Sequence, residues 1–152
     1  MNQTSVSICI VRLHADRHDI PLPAYATPGS SGMDIHAAIE ADIILVPGET
    51  VLVPSGFSIE VPPGYEAQIR PRSGLAIKHS IGILNSPGTI DSDYRGEIKI
   101  ILTNFGKNDF TIRRGDRIAQ LVVAPVVRVH WQEGETTAAT IRGAGGFGHT
   151  GR

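Results

Sequence analysis

Residues 47–64 read Pro47-Gly48-Glu49-Thr50-Val51-Leu52-Val53-Pro54-Ser55-Gly56-Phe57-Ser58-Ile59-Glu60-Val61-Pro62-Pro63-Gly64. Two short runs rich in Val, Ile and Phe, 50–53 and 57–61, lie between Pro-Gly pairs. β-Branched and aromatic residues suit a pleated, half-buried surface, and Pro-Gly sets turns. The same punctuation recurs outward at Pro28-Gly29 and Pro87-Gly88, in a chain with 17 Gly and 10 Pro. Further strands are expected over 6–13, 43–46, 66–69, 97–103, 110–112 and 118–129. In one of them Ile98, Ile100 and Leu102 alternate with Glu97 and Lys99, the period of a strand with one buried face. Only Gly74 to His79 reads as helix. Many short strands at near-regular spacing predict an all-β fold, a jelly-roll-like sandwich or barrel with one short helix. No internal repeat or linker divides residues 1–141. Residues 142–152 form a separate Gly-dominated tail.

The 152 residues are 41% hydrophobic and 19% charged, with a formal net charge of -1. That is an ordinary globular composition, long enough for one domain with a real core. Near-neutral charge leaves no basic footprint for duplex nucleic acid, so no nucleic-acid partner is expected. The longest apolar run, 121–127, is far too short to span a bilayer, and no membrane association is expected. A lone cysteine, Cys9, cannot form an internal disulfide and reads as strand packing. Residues 1–17 show no cationic-then-apolar leader pattern. A reducing, cytoplasmic location follows as the expectation.

Five polar constellations interrupt the strand pattern. The first is Asn85-Ser-Pro-Gly-Thr-Ile-Asp-Ser-Asp-Tyr-Arg-Gly-Glu97. It puts Asp91, Asp93 and Tyr94 where a buried hairpin needs apolar residues, a conflict expected at functional sites. The second is Ser30 to Ala38, where Asp34 between Met33 and Ile35 reads as an inward carboxylate that needs a cationic partner. His36 has no second His or Cys at ligand spacing and reads as structural or exposed. In the third, Arg70 to Leu75, Ser73 is placed to cap the helix, leaving amides and Arg72 for an anion. In the fourth, Arg113 to Leu121, Gln120 is either an outward polar residue or a placed hydrogen-bond donor. The fifth is the tail, where Phe147 among glycines, between Arg142 and Arg152, suits a lid that stacks on a base. The tail lacks the Lys-Ser or Lys-Thr of a P-loop. No Ser, His and acid grouping suggests a triad, and zinc ligands are wanting. The inventory fits hydrolysis of a nucleotide phosphate with a divalent metal.

In this order the five segments resemble the five motifs of the trimeric dUTP diphosphatase (dUTPase) family. They are Ser-Gly-Met-Asp at 31–34, Pro-Arg-Ser-Gly-Leu at 71–75 and Gly-Thr-Ile-Asp-Ser-Asp-Tyr-Arg-Gly-Glu at 88–97. Arg-Ile-Ala-Gln-Leu at 117–121 and Arg-Gly-Ala-Gly-Gly-Phe-Gly-His-Thr-Gly at 142–151 complete the set. The resemblance implies the family's β-clip jelly roll and a homotrimer with active sites shared between subunits. Its reaction is dUTP and water giving dUMP and pyrophosphate, with Mg2+ on the triphosphate. That keeps uracil out of DNA and supplies dUMP for thymidylate synthesis.

The resemblance also implies roles. Asp91 is the general base that orients the attacking water, and Asp34 sits near magnesium through its water shell. Arg72, Ser73 and Gly74 hold phosphate oxygens, with Gln120 in support. Tyr94 packs under the deoxyribose and leaves no space for a 2′-hydroxyl. Asn85 and the backbone of Thr89, Ile90 and Asp91, with the strand near Lys99, read the uracil edge. Phe147 stacks on the base, Gly148 lies beside it in the lid, and Arg142 meets the terminal phosphate. Other readings of the same scaffold are a dCTP deaminase, a non-catalytic nucleotide sensor and a structural jelly-roll protein. Ammonia release from dCTP, or binding without pyrophosphate release, separates the first two from the triphosphatase.

Overall fold

The computed structural model describes residues 5–13 and 18–146. Strands dominate, with one short helix, as the turn punctuation predicts. The strands are β1 (Cys9–Arg12), β2 (Ala24–Tyr25), β3 (Met33–His36), β4 (Ile43–Leu45), β5 (Thr50–Pro54) and β6 (Phe57–Glu60). They continue as β7 (Tyr65–Arg70), β8 (Ile81–Ile83), β9 (Gly88–Ile90), β10 (Lys99–Asn104), β11 (Phe110–Ile112) and β12 (Arg117–Pro125). Helix α1 spans Ser73–His79 between β7 and β8. The hydrogen-bonded groups are β1-β6, β5-β10-β8, β11-β4 and β2-β3-β12-β7-β9, so the strands pack as layered sheets and do not close into a barrel. The expected strand over 118–129 stops at Pro125, which cannot extend the ladder with an N–H.

Strand alternation builds the core. Ile98, Ile100 and Leu102 are buried, with Ile35, Leu45, Val53, Ile112 and Ile118 around them. In the five-stranded sheet Ile35 pairs with Ala119, and Leu121 with Ile69. All four are buried and mark its core face. Register then decides the opposite face. Gln120 lies opposite Asp34 on one side and Arg70 on the other, so these three polar residues form one row across β3, β12 and β7. Asp34 is therefore not directed into the core as its apolar neighbours suggest. Ile35 takes the core position, and the period of two turns Asp34 the other way.

One buried polar residue ties the far end together. The Asn104 side-chain amide donates to the carbonyls of Leu45 and Asn108, both at 2.8 Å. Its Oδ1 accepts the Gly106 amide at 2.9 Å. Asn104 is 0% exposed. Truncation strands the buried Leu45 carbonyl, at about 1–3 kcal/mol, and removes the part-buried bonds to Asn108 and Gly106, at about 1 kcal/mol each. Asn104→Ala is expected to lose at least about 3 kcal/mol and about 10 °C in Tm by thermal unfolding. A loss under about 1 kcal/mol would show that these bonds are dispensable.

Candidate active site

The polar row carries an ion-pair cluster. Arg72 Nε donates to Asp34 Oδ1 at 3.1 Å, and Arg117 Nη1 donates to Asp34 Oδ2 at 3.1 Å. Arg72 Nη1 also donates to the Arg117 carbonyl at 3.2 Å. The Asp34 side chain is only 14% exposed, so pairing removes the penalty of a half-buried lone carboxylate. The arrangement aims the Arg72 fork and leaves its Nη2 for a further acceptor. Gln120 stands next to Asp34 in the row, close to Gly32, where an added Cβ would come within 3.5 Å of its Oε1.

Helix α1 begins immediately after Arg72, and its first ladder bond runs from the Ala76 amide to the Arg72 carbonyl at 3.0 Å. The amides of Ser73, Gly74 and Leu75 are the donors that a helix start leaves over. Ser73 does not cap the helix. Arg72 occupies the N-cap position without a side-chain cap bond, and Ser73 is the first helical residue. The Ser73 hydroxyl is therefore left for another partner.

His36 lies on the same face, opposite Arg117 in register. Its Nδ1 is buried without a hydrogen-bond partner. Burial lowers its pKa below the usual imidazole range. The charge of Asp34 opposes that shift, and those of Arg117 and Arg72 add to it.

A second group gathers on the 85–99 hairpin. β9 runs antiparallel to β7, with Gly88 opposite Ile69, Thr89 opposite Gln68 and Ile90 opposite Ala67. Thr89 thus joins the polar face and Ile90 the core side. Gly88 is packed so closely that a Cβ there would come within 3.2 Å of the Asn85 side-chain amide. Past β9 the chain bends, and the Tyr94 amide donates to the Asp91 carbonyl at 3.2 Å. The Asp91 carboxylate is exposed and has no hydrogen bond or ion pair among the described residues. The Tyr94 hydroxyl donates to the Glu97 carbonyl at 3.1 Å. The Lys99 ammonium lies 3.6 Å from Glu97 Oε2.

One chain does not bring these two groups together. Asp91 follows the residue opposite Ala67, whereas Arg72 lies beyond the other end of β7. Five residues of extended chain separate Ala67 from Arg72, about 16 Å. No hydrogen bond or ion pair joins the groups among the described residues. Arg142 stands apart from both; its Nε donates to the Gly145 carbonyl at 2.7 Å. Phe147, Gly148 and His149 lie outside the described residues.

Three contributors were not assigned roles from the sequence. Arg117 and Arg70 border the row, and Glu97 anchors the hairpin. Their only advance signal is membership of, or adjacency to, the motifs. Strand register, which places them, is not written in local pattern.

No set of three His, Cys, Asp or Glu residues among those described is placed to hold a metal. Both oxygens of Asp34 already accept from guanidinium groups. The donor set therefore does not fit a resident, fully protein-caged ion. It does fit a magnesium that arrives on a polyphosphate and keeps its waters, with a carboxylate nearby.

Comparison with known proteins identifies the family of the chain. The dUTPase family model matches residues 18–151. The deoxyuridine 5'-triphosphate nucleotidohydrolase of Anaplasma marginale is 54% identical over 146 residues, covering 96% of this chain and 99% of that protein. That of Rickettsia canadensis is 58% identical over 130 residues, covering 86% and 88%. Among solved structures, Staphylococcus bacteriophage 80alpha dUTPase with dUpNHpp superposes with a TM-score of 0.86 at 23% identity, covering 97% of this chain and 100% of that one. A mutant dUTPase from phage phi11 of S. aureus, solved with attention to a structural Mg(II) ion, gives 0.76 at 21% identity, covering 86% and 98%. The phage likenesses bear on fold alone. The family match and relatives more than half identical over most of the chain establish that this enzyme belongs to the dUTPase family.

Proposed function

We propose that this enzyme hydrolyses dUTP to dUMP and pyrophosphate by attack of water on the α-phosphorus. The observation that carries the reading is the contrast between its two motif aspartates. Asp34 is half-buried and held by two guanidinium groups. Asp91 is exposed at the end of β9 with both oxygens available. Different environments give two carboxylates different tasks. Asp34 is an anchor that fixes Arg72, and its carboxylate would face a substrate-bound magnesium through the ion's water shell. Asp91 is the base that accepts a proton from water as it attacks.

Displacement at phosphorus needs alignment and charge neutralisation more than covalent chemistry. Arg72 Nη2, the Ser73 hydroxyl and the amides of Ser73 and Gly74 hold phosphate oxygens, and Gln120 supports them from β12. Magnesium bound to the triphosphate supplies further neutralisation of its charge. Asn85, the backbone of Thr89 to Asp91 and the start of β10 near Lys99 take the uracil edge. Tyr94 lies under the deoxyribose. The segment 142–152 acts as the lid of the domain 1–141, with Arg142 on the terminal phosphate and Phe147 and Gly148 over the base. The products fit a housekeeping role that lowers dUTP and supplies dUMP, in a reducing compartment suited to the unpaired Cys9.

A homotrimer with shared sites is supported by three features. The separation of Arg72 from Asp91 leaves each chain with complementary parts of one site. The chain also carries an unsatisfied apolar stripe after β12. Val127, Val129 and Trp131 alternate like a strand and are exposed, Trp131 by 91%. An open groove of about 850 Å3 lies between β1-β6 and the five-stranded sheet, lined by Ile8, Ile10, Met33, Tyr65 and Val123 among others. A second copy supplies what one chain lacks.

Hydrolysis in 18O-water tests the site of attack. The label is expected in dUMP. Label in pyrophosphate instead would place attack at the β-phosphorus and refute the assigned geometry.

A further inference from the structure

Tyr94 is held at two points that the roles above do not use. Its ring lies directly over Gly96. A Cβ there would come within 2.6 Å of the ring carbon Cζ, so only glycine leaves the ring its place. Its hydroxyl hangs on the Glu97 carbonyl at 3.1 Å. That carbonyl belongs to a stretch fastened to the β5–β6 turn. Glu97 Oε1 accepts the Gly56 amide at 3.0 Å. The Ser55 hydroxyl donates to the Ile98 carbonyl at 2.6 Å, and the Ile98 amide donates to the Phe57 carbonyl at 3.0 Å. Gly56 itself has φ +77, and a Cβ on it would meet that of Ala38 at 3.0 Å, so the turn has little freedom to shift. The other Glu97 oxygen faces the Lys99 ammonium at 3.6 Å. One carboxylate thus joins the mount of Tyr94, the start of β10 and a tightly constrained turn.

We infer that Glu97 is a positioning residue for sugar selection, its carboxylate holding the carbonyl on which Tyr94 hangs and so fixing the wall that excludes a 2′-hydroxyl. The inference rests on the proposed hydrolysis of dUTP. It adds that selectivity against UTP depends on a residue that does not touch the sugar. Exclusion of one hydroxyl is steric and needs a wall fixed to a fraction of an ångström. A tyrosine 44% exposed has rotamer freedom that its own packing does not remove.

The test is the ratio of kcat/KM for UTP to that for dUTP in the wild type, Glu97→Ala, Glu97→Gln and Tyr94→Phe. Glu97→Ala is expected to raise the ratio by about tenfold, the effect of losing one ordinary hydrogen bond's worth of positioning. Glu97→Gln keeps an acceptor for the Gly56 amide and is expected to stay within about twofold of the wild type. Tyr94→Phe, at an exposed side chain that folding does not need, removes the hydroxyl and is expected to raise the ratio as Glu97→Ala does. The double variant is expected to show less than the product of the two effects. A merely structural Glu97 lowers Tm and leaves the ratio unchanged. An unchanged ratio in Glu97→Ala, or in Tyr94→Phe should Glu97→Ala fail to fold, overturns the inference alone. Failure of the wild type to hydrolyse dUTP overturns the proposed function and the inference with it.

Discussion

Replacing Asp91 by asparagine is expected to lower pyrophosphate release from dUTP by about a thousandfold, within the range that general-base catalysis contributes. Asparagine keeps the shape of the side chain and its acceptor oxygen, so water still binds, but it cannot take the proton. The fold has no stake in the exchange. The carboxylate has no partner among the described residues, and the adjacent turn is made by backbone, through the bond from the Tyr94 amide to the Asp91 carbonyl at 3.2 Å. Affinity for a non-hydrolysable dUTP analogue, size in solution and Tm are expected to match the wild type. Single-turnover kinetics beside calorimetric binding separates the two effects. Turnover within about tenfold of the wild type would remove Asp91 from the role of base.

Deleting residues 143–152 is expected to lower kcat/KM for dUTP by about a hundredfold, the scale of lost alignment and water exclusion. Stability is expected to stay the same. After Val126, whose amide donates to the Gly64 carbonyl at 2.9 Å, the described chain runs on without a strand or a buried side chain to residue 146. The described residues of the part removed, 143–146, therefore contribute nothing to the core. The loss is expected mainly in kcat, because a closing lid aligns the phosphates more than it recruits the substrate. Thermal unfolding and steady-state kinetics on the truncated enzyme decide this. Full activity would end the lid reading, and a large fall in Tm would make the segment structural.

The strands bounded by Pro-Gly turns were legible because alternation and punctuation agree there. β5, β6, β10 and β11 lie where 47–64, 97–103 and 110–112 suggest. β3 was hidden because Ile35 is its only fully buried residue, and its other positions read as a polar site. β8 was hidden because the helix before it ends at Ser80, which takes a left-handed φ of 56 without the glycine that signals such a stop. Asn104 illustrates a deeper limit. A polar residue at the end of an alternating strand looks outward, yet it is buried because three backbone groups converge on it. The site shows the same division. Asp34, Arg72, Gln120 and Asp91 are visible as residue types in motifs. That Asp34 faces away from the core and takes two arginines follows from a pairing between β3 and β12 that no local window contains. The distance between Arg72 and Asp91 is likewise a matter of which end of β7 each adjoins.

Hydrolysis of dUTP is tested most directly by pyrophosphate release with magnesium, run beside dCTP, dTTP and UTP at equal concentration. Rapid release from dUTP, little from the other three, and loss of release when magnesium is chelated are expected. No release from dUTP, or equal release from all four, would contradict the proposed hydrolysis.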